Sequence, residues 1–117
     1  MSDHGSTVCP YFHQAIELIG RRWTGAIVQV LMTGRRRYCD LRTAIPDVSD
    51  RMLSERLREL EAEGIVRRIV TPETPVRVEY ELSKKGRALE QALSAVAEWA
   101  EKWSEKPPQA RARTMRA

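Results

Sequence analysis

Arg51, Ser54, Glu55 and Arg58 recur three and four residues apart, with Asp50 at the head of the run. On an α-helix that spacing lays guanidinium, hydroxyl and carboxylate groups along one face. Exposed guanidinium groups bind phosphate oxygens or the O6/N7 edge of guanine, and hydroxyls and carboxylates reach other base edges. The same residues also suit a plain solvated face, because Arg51–Glu55 and Glu55–Arg58 have the spacing of intrahelical ion pairs. Arg37, which ends the triplet Arg35-Arg36-Arg37, and Arg77, in a later alternating run, add two candidates for phosphate contact. Cys9 precedes Pro10 at the expected start of a helix, where unpaired amides and the helix dipole favour a thiolate. Its bland alternative is a small buried apolar residue. His4, Cys9, His13 and Cys39 show no CxxC or HxxxH pairing, so neither a metal nor a cofactor is expected. With no nucleophile–base pair, glycine-rich phosphate loop or carboxylate cluster, an enzyme is not expected either.

The basic helix face has to be held by an element whose limits are legible. Pro46 disfavours an earlier helical start, Ser49 is a good N-cap, and Gly64 suits the position just past the last turn. A helix over 49–63 follows, with Met52, Leu53, Leu57 and Leu60 on its inner face. The period then changes. Ile65–Val70 reads as one strand and Thr71–Pro75 as a turn. Val76, Val78, Tyr80 and Leu82 alternate with Arg77, Glu79 and Glu81 as in a half-buried partner strand. Such a helix and hairpin are the recognition helix and wing of a winged helix-turn-helix, in which the N-terminal part of the helix enters the major groove of DNA. Glu73 at the tip argues against deep insertion of the wing into the minor groove.

Upstream, Pro10 to Gly20 reads as a first helix with Phe12, Ala15, Ile16 and Ile19 apolar. A second begins at Trp23, with Ile27, Val30 and Leu31 inward and Gly34 closing it. A short third carries Leu41, Ala44 and Ile45 inward, and the turn Pro46-Asp47-Val48 completes the helix-turn-helix. Downstream, Ser83 can cap a last helix, although Gly86 weakens its first turn. Leu89, Leu93, Val96, Ala100 and Trp103 form a heptad seam there, widened by Ala92 and Trp99. That face can pack on its own core or on a second copy.

The chain's 117 residues allow one domain, over 9–105, between a start (1–8) and a tail (106–117) expected to be disordered. Lys106, Arg111, Arg113 and Arg116 in the tail account for the net charge of +4. The remainder is balanced overall but basic in the middle and acidic along the last helix, which suits a DNA-facing side opposite another surface. No apolar leader or membrane-length run is present, so a cytoplasmic location without membrane contact is expected.

These residues together resemble the HxlR-type winged-helix transcriptional regulators, related in fold to the MarR group. The resemblance is carried by Cys9-Pro10, Ile19-Gly20-Arg21-Arg22-Trp23-Thr24, Gly34, Arg37-Tyr38, Leu41, Ile45-Pro46, Val48-Ser49, Leu53, Arg56-Leu57 and Leu60-Glu61. It continues through Gly64-Ile65-Val66, Arg68, Pro75, Val78-Glu79-Tyr80, Leu82-Ser83, Gly86 and Trp99. Arg21 and Tyr38 depart from the usual Gly and Phe, and Cys39 is not a family position. The resemblance implies a mainly α fold with a β-hairpin wing, a bacterial homodimer joined through first and last helices, and double-stranded DNA as partner. Phe12, Ile16, Leu89, Leu93, Val96, Trp99, Ala100 and Trp103 are then the dimerisation candidates. Arg37, Ser49, Asp50, Arg51, Ser54, Glu55, Arg58 and Arg77 are the DNA-binding candidates. It also implies that the Cys matching Cys9 senses electrophiles or oxidants in some members, so a small-molecule effector enters as an expectation. The expected function is a sequence-specific repressor on a palindromic operator. The alternative is a winged-helix protein–protein module without specific DNA binding.

Overall fold

The computed structural model describes residues 7–105. Most of the expected disordered start and the whole tail lie outside the described residues. The elements run α1 (Pro10–Ile19), α2 (Thr24–Leu31), β1 (Arg36–Arg37), α3 (Tyr38–Ala44), α4 (Asp50–Ala62), β2 (Val66–Thr71), β3 (Arg77–Leu82) and α5 (Lys84–Trp103). No helix among the described residues is long and apolar enough to cross a membrane.

Each end of α4 is set by local chemistry. Ser49 has extended backbone and its Oγ accepts from the Met52 amide at 3.1 Å, satisfying one of the unpaired donors of the first turn. At the other end Gly64 takes φ 76°, the left-handed region in which a side chain is disfavoured. That turn lets Ile65 N donate to Leu60 O at 2.9 Å and Gly64 N to Glu61 O at 3.0 Å, the paired bonds of a Schellman stop. Between these ends Leu53, Leu57 and Leu60 are buried, each contributing roughly 1.5–3 kcal/mol of apolar burial.

They meet Ile27, Val28 and Leu31 of α2, Leu41 of α3, and Ile45, Val48, Ile65, Val66 and Leu82 in one core. Two members are not expected from periodicity. Val28 is buried beside Ile27 whereas Val30 is only half-buried, and Val48 is buried inside the turn before α4. Ala44, expected inward, is exposed, because α3 ends there and Ile45 turns into the core with non-helical backbone (φ −123°, ψ 77°). Trp23, expected to begin α2, precedes it in a left-handed conformation at φ 78°.

The wing belongs to a three-stranded antiparallel sheet in the order β1-β3-β2, not to an isolated hairpin. Arg36 pairs with Tyr80 and Arg37 with Glu79, so part of the arginine triplet is a strand rather than a loop. This makes β3 the central strand and changes its burial. The expected alternation fails at both ends of the contrast. Val76 is 59% exposed, while the Glu79 and Glu81 side chains are only 17% exposed because Arg35 and Arg67 lie over them. The turn between β2 and β3 contains a cis Thr74–Pro75 peptide.

The start of α5 explains its glycine. Ser83 Oγ accepts from Gly86 N at 3.1 Å and donates to Gly64 O, while Ser83 N donates to Ile65 O at 2.9 Å. This fastens α5 to the end of α4. A Cβ on Gly86 would sit 2.3 Å from Ile65 O and 3.1 Å from Leu82 Cδ2. Helix propensity alone favours alanine at such a site by roughly 1 kcal/mol. Gly86→Ala is therefore expected to destabilise the fold by about 1–3 kcal/mol in urea unfolding; an increase in stability would contradict this mode of α5 docking.

Candidate nucleic-acid interface

Burying the leucine face of α4 turns Asp50, Arg51, Ser54, Glu55 and Arg58 away from the core. Arg51 and Arg58 are exposed, and neither makes an ion pair with any described residue. The intrahelical pairs that their spacing to Glu55 allows are not formed. Both guanidinium groups thus keep all their donors for an external acceptor, and Glu55 is half-buried. Ser49 is committed to the N-cap, its Oγ accepting from the Met52 amide.

Asp50 is differently placed. Arg42 of α3 forms an ion pair with its Oδ1, and Tyr38 Oη lies 3.0 Å from the same oxygen. The Tyr38 hydroxyl also lies 3.1 Å from Asp50 O and 3.2 Å from Ser54 Oγ. Tyr38 and Arg42 are not identified from the sequence as site residues. The one signal for them is position: Tyr38 and Leu41 sit a turn apart, so Tyr38 and Arg42 share the side of α3 bordering its buried stripe.

Arg42's hydrogen bond, followed by that of Tyr38, holds the Asp50 carboxyl below its ordinary value. The Asp50 partnership in turn raises Arg42.

Of the arginine triplet, Arg35 pairs with Glu81 at 3.1 Å and Glu79 at 3.7 Å, and Arg36 bonds to Thr33 Oγ1 at 2.6 Å and to Arg35 O at 2.8 Å. Arg37 is exposed, and its side chain makes no ion pair among the described residues; its amide donates to Asp40 Oδ2 at 3.2 Å. In the wing, Arg77 is paired with Glu73, which raises its pKa, and its Nε is buried without a partner. Phosphate contact by Arg77 would have to displace Glu73. Arg68 on β2 is exposed and free of ion pairs among the described residues, and it is not singled out as a site residue from the sequence.

α4 is tied to the loop between α1 and α2. Arg56, with its side chain 15% exposed, donates from Nε to Arg22 O at 2.9 Å and from Nη1 to Glu59. Glu59 also pairs with Arg21 at 3.0 Å, and the Arg22 guanidinium lies 4.7 Å from the Trp23 ring centroid. The run Arg21-Arg22-Trp23-Thr24 is therefore the seat of the exposed basic helix. Arg21, noted as a departure, pairs with that helix.

Beyond that seat, Phe12 and Ile16 of α1 and Val96, Trp99 and Trp103 of α5 are exposed apolar residues. Leu89 and Leu93 instead pack against the chain's own core, and Ala100 is half-buried. The heptad seam is thus divided, its first half used internally and its second half bare. Cys9 is the exposed N-cap of α1, with its side chain free of any capping bond, and Cys39 is exposed on α3. Within the single chain Cys9 is thus not the buried thiol of its bland alternative. Among the described residues no group of three or more His, Cys, Asp or Glu could hold a metal ion.

A helix with an unpaired basic face, a preceding helix across a short turn and a β wing define a winged helix-turn-helix. The model of the HxlR-like helix-turn-helix family matches residues 18–108, and the chain belongs to that family of transcriptional regulators. It is 47% identical over 98 residues to the HTH-type transcriptional regulator YvaP of Bacillus subtilis, covering 84% of this chain and 91% of YvaP. It is 46% identical over 101 residues to the HTH-type transcriptional regulator YodB of the same organism, covering 86% and 90%. The reduced form of YodB superposes with TM-score 0.77 over 85% of this chain and 97% of that one, at 44% identity. YodB has also been solved diamide-treated and quinone-bound. The oxidised form of the redox regulator HypR superposes with TM-score 0.77 at 37% identity, over 84% of this chain and all of that one.

The Asp50 pairing carries a pH signature. A lowered folded-state pKa contributes stability above the ordinary value of 3.8, and that contribution is lost as pH falls through the folded value. Asp50→Asn should therefore be less stable than the wild type near neutrality, with the gap closing in acid. Unfolding at several pH values checks this, and a gap that widens on acidification would contradict the pairing.

Proposed function

We propose that the protein is a sequence-specific DNA-binding regulator that acts as a homodimer on a palindromic operator and represses transcription by occupying it. The observation that carries this reading is the exposed face of α4, where Arg51 and Arg58 have no carboxylate partner among the described residues. Arg51, Ser54 and Glu55, close to the N-terminal end, are the groups that reach base edges. Arg58, Arg37 and, once freed from Glu73, Arg77 are assigned to phosphates. Ser49 contributes the capped N-terminus, and Asp50 acts at the same end. The bare apolar residues Phe12, Ile16, Val96, Trp99 and Trp103, with Ala100, supply the surface on which two copies meet, next to Leu89 and Leu93. Two-fold symmetry would set the half-site centres about 34–36 Å apart.

Control is assigned to Cys9. It is exposed and adjoins the start of α1, among the dimer candidates, and α1 runs into the loop that seats α4 through Arg56 and Glu59. Modification by a thiol-reactive compound such as a quinone or diamide, with which YodB has been studied, would change how α1 packs on the second copy. A small rotation there misaligns two recognition helices that must meet two half-sites.

In fluorescence titrations over a salt series, Arg58→Ala should weaken binding to all duplexes alike and reduce the log–log salt slope by about 0.9 for each phosphate no longer neutralised. Arg51→Ala should instead cost about 1–3 kcal/mol at the preferred site and little elsewhere. Wild-type binding with no salt dependence, or no sequence preference, would overturn the reading. Cys9→Ser should bind DNA normally and keep binding it in the presence of diamide; release by diamide despite the substitution would remove Cys9 from this role.

A further inference from the structure

The contacts of Tyr38 reach beyond packing. Its ring lies against the core while its hydroxyl emerges between the carboxylate of Asp50 and the hydroxyl of Ser54, 3.0 Å from the first and 3.2 Å from the second. A phenol hydroxyl has one proton to donate and lone pairs with which to accept. Of the acceptors around it, the ionised Asp50 carboxylate is the strongest, since hydrogen bonds to a charged acceptor are roughly twice as strong as neutral ones. The Asp50 carbonyl oxygen, at 3.1 Å, is a neutral competitor. With the tyrosine proton directed to Asp50, the remaining contact has one polarity: Ser54 donates to Tyr38 Oη. The ion pair from Arg42 keeps Asp50 ionised and fixed in place, which holds this order.

We propose that Tyr38 and Arg42 of α3 are positioning residues for base readout, which turn the Ser54 hydroxyl into a hydrogen-bond acceptor towards DNA. This rests on the reading of α4 as the base-contacting helix. A free serine hydroxyl is an ambiguous reader, because it can donate to a guanine or thymine oxygen or accept from an adenine or cytosine amino group. A serine whose proton is already engaged presents only lone pairs. It selects the exocyclic amino group of adenine or cytosine and meets an acceptor edge with repulsion. Asp50, its carboxylate committed to Arg42 and Tyr38, buttresses this arrangement and leaves the reading to its neighbours.

The test uses the full-length protein and a panel of half-sites in which each base pair is changed in turn. The position read by Ser54 is the one at which Ser54→Ala flattens the wild-type preference. At that position Tyr38→Phe, which keeps the ring in the core, should reduce discrimination roughly three- to tenfold, with salt slope, non-specific affinity and thermal midpoint close to wild type. In the double variant Tyr38→Phe/Ser54→Ala, discrimination should be no flatter than in Ser54→Ala alone, because both changes remove one coupled pair. A half-site carrying a nucleoside analogue without the exocyclic amino group at that position should bind the wild type more weakly and Tyr38→Phe almost unchanged. Unaltered discrimination in Tyr38→Phe, additive effects in the double variant, or indifference of the wild type to loss of the amino group would each overturn the proposal. A uniform loss of affinity on all sequences would make Tyr38 merely structural and overturn it equally. Wild type without any base preference would instead remove the DNA-reading function on which the proposal stands.

Discussion

Leu53, Leu57 and Leu60 must leave water, and on a 13-residue helix they lie along one stripe. That single requirement fixes the rotation of α4 about its axis and so decides which residues face outward. Arg51 and Arg58 are available to an external anion only because the stripe opposite them is buried. Arg56, lying between the two faces, is drawn inward by Arg22 O and Glu59 and locks the rotation. The helix termini are equally constrained, by Ser49 at one end and by the left-handed Gly64 at the other. Removing the burial would not weaken one contact; it would release the orientation that every surface group on α4 depends on.

The same seat joins two parts of the molecule. The loop from α1 to α2 bonds directly to α4 through Arg21, Arg22, Arg56 and Glu59. α1 has no fully buried residue: it packs the half-buried Leu18 against the core and offers Tyr11, Phe12 and Ile16 to the outside. α1 is thereby joined to the basic helix through the loop that follows it. The unusual backbone of Trp23 sits at that junction, supported by the Arg22 guanidinium above its ring.

Much of this is legible in the amino-acid order, for identifiable reasons. Ser49, Gly64, Ser83 and the leucine stripe act locally, within one helical turn, so spacing alone reports them. The wing strands can be located that way, but their burial cannot, because β1 contributes a third strand of two residues that no periodicity reveals. Covered by Arg35 and Arg67, Glu79 and Glu81 are half-buried pairs in place of a solvent face. Val48 is buried and Ala44 exposed, against the pattern, because α3 stops one residue before Ile45, and helix ends are the least determined part of a pattern. Within the candidate site, spacing places α4's own residues on its exposed face. Tyr38 and Arg42 cannot, since their partners Asp50 and Ser54 lie 8 to 16 residues away across a turn. Gly86 reads as a helix weakness and is a close contact with Ile65 O.

On the proposed reading, two copies of α4 meet a symmetric DNA sequence. Selection of bound sequences from random duplex DNA addresses it most directly. The predicted result is enrichment of one inverted repeat with half-site centres about 34–36 Å apart, and loss of that enrichment when the selection is repeated with diamide. Enrichment of no motif above the starting pool, with the protein folded and retained, would contradict it.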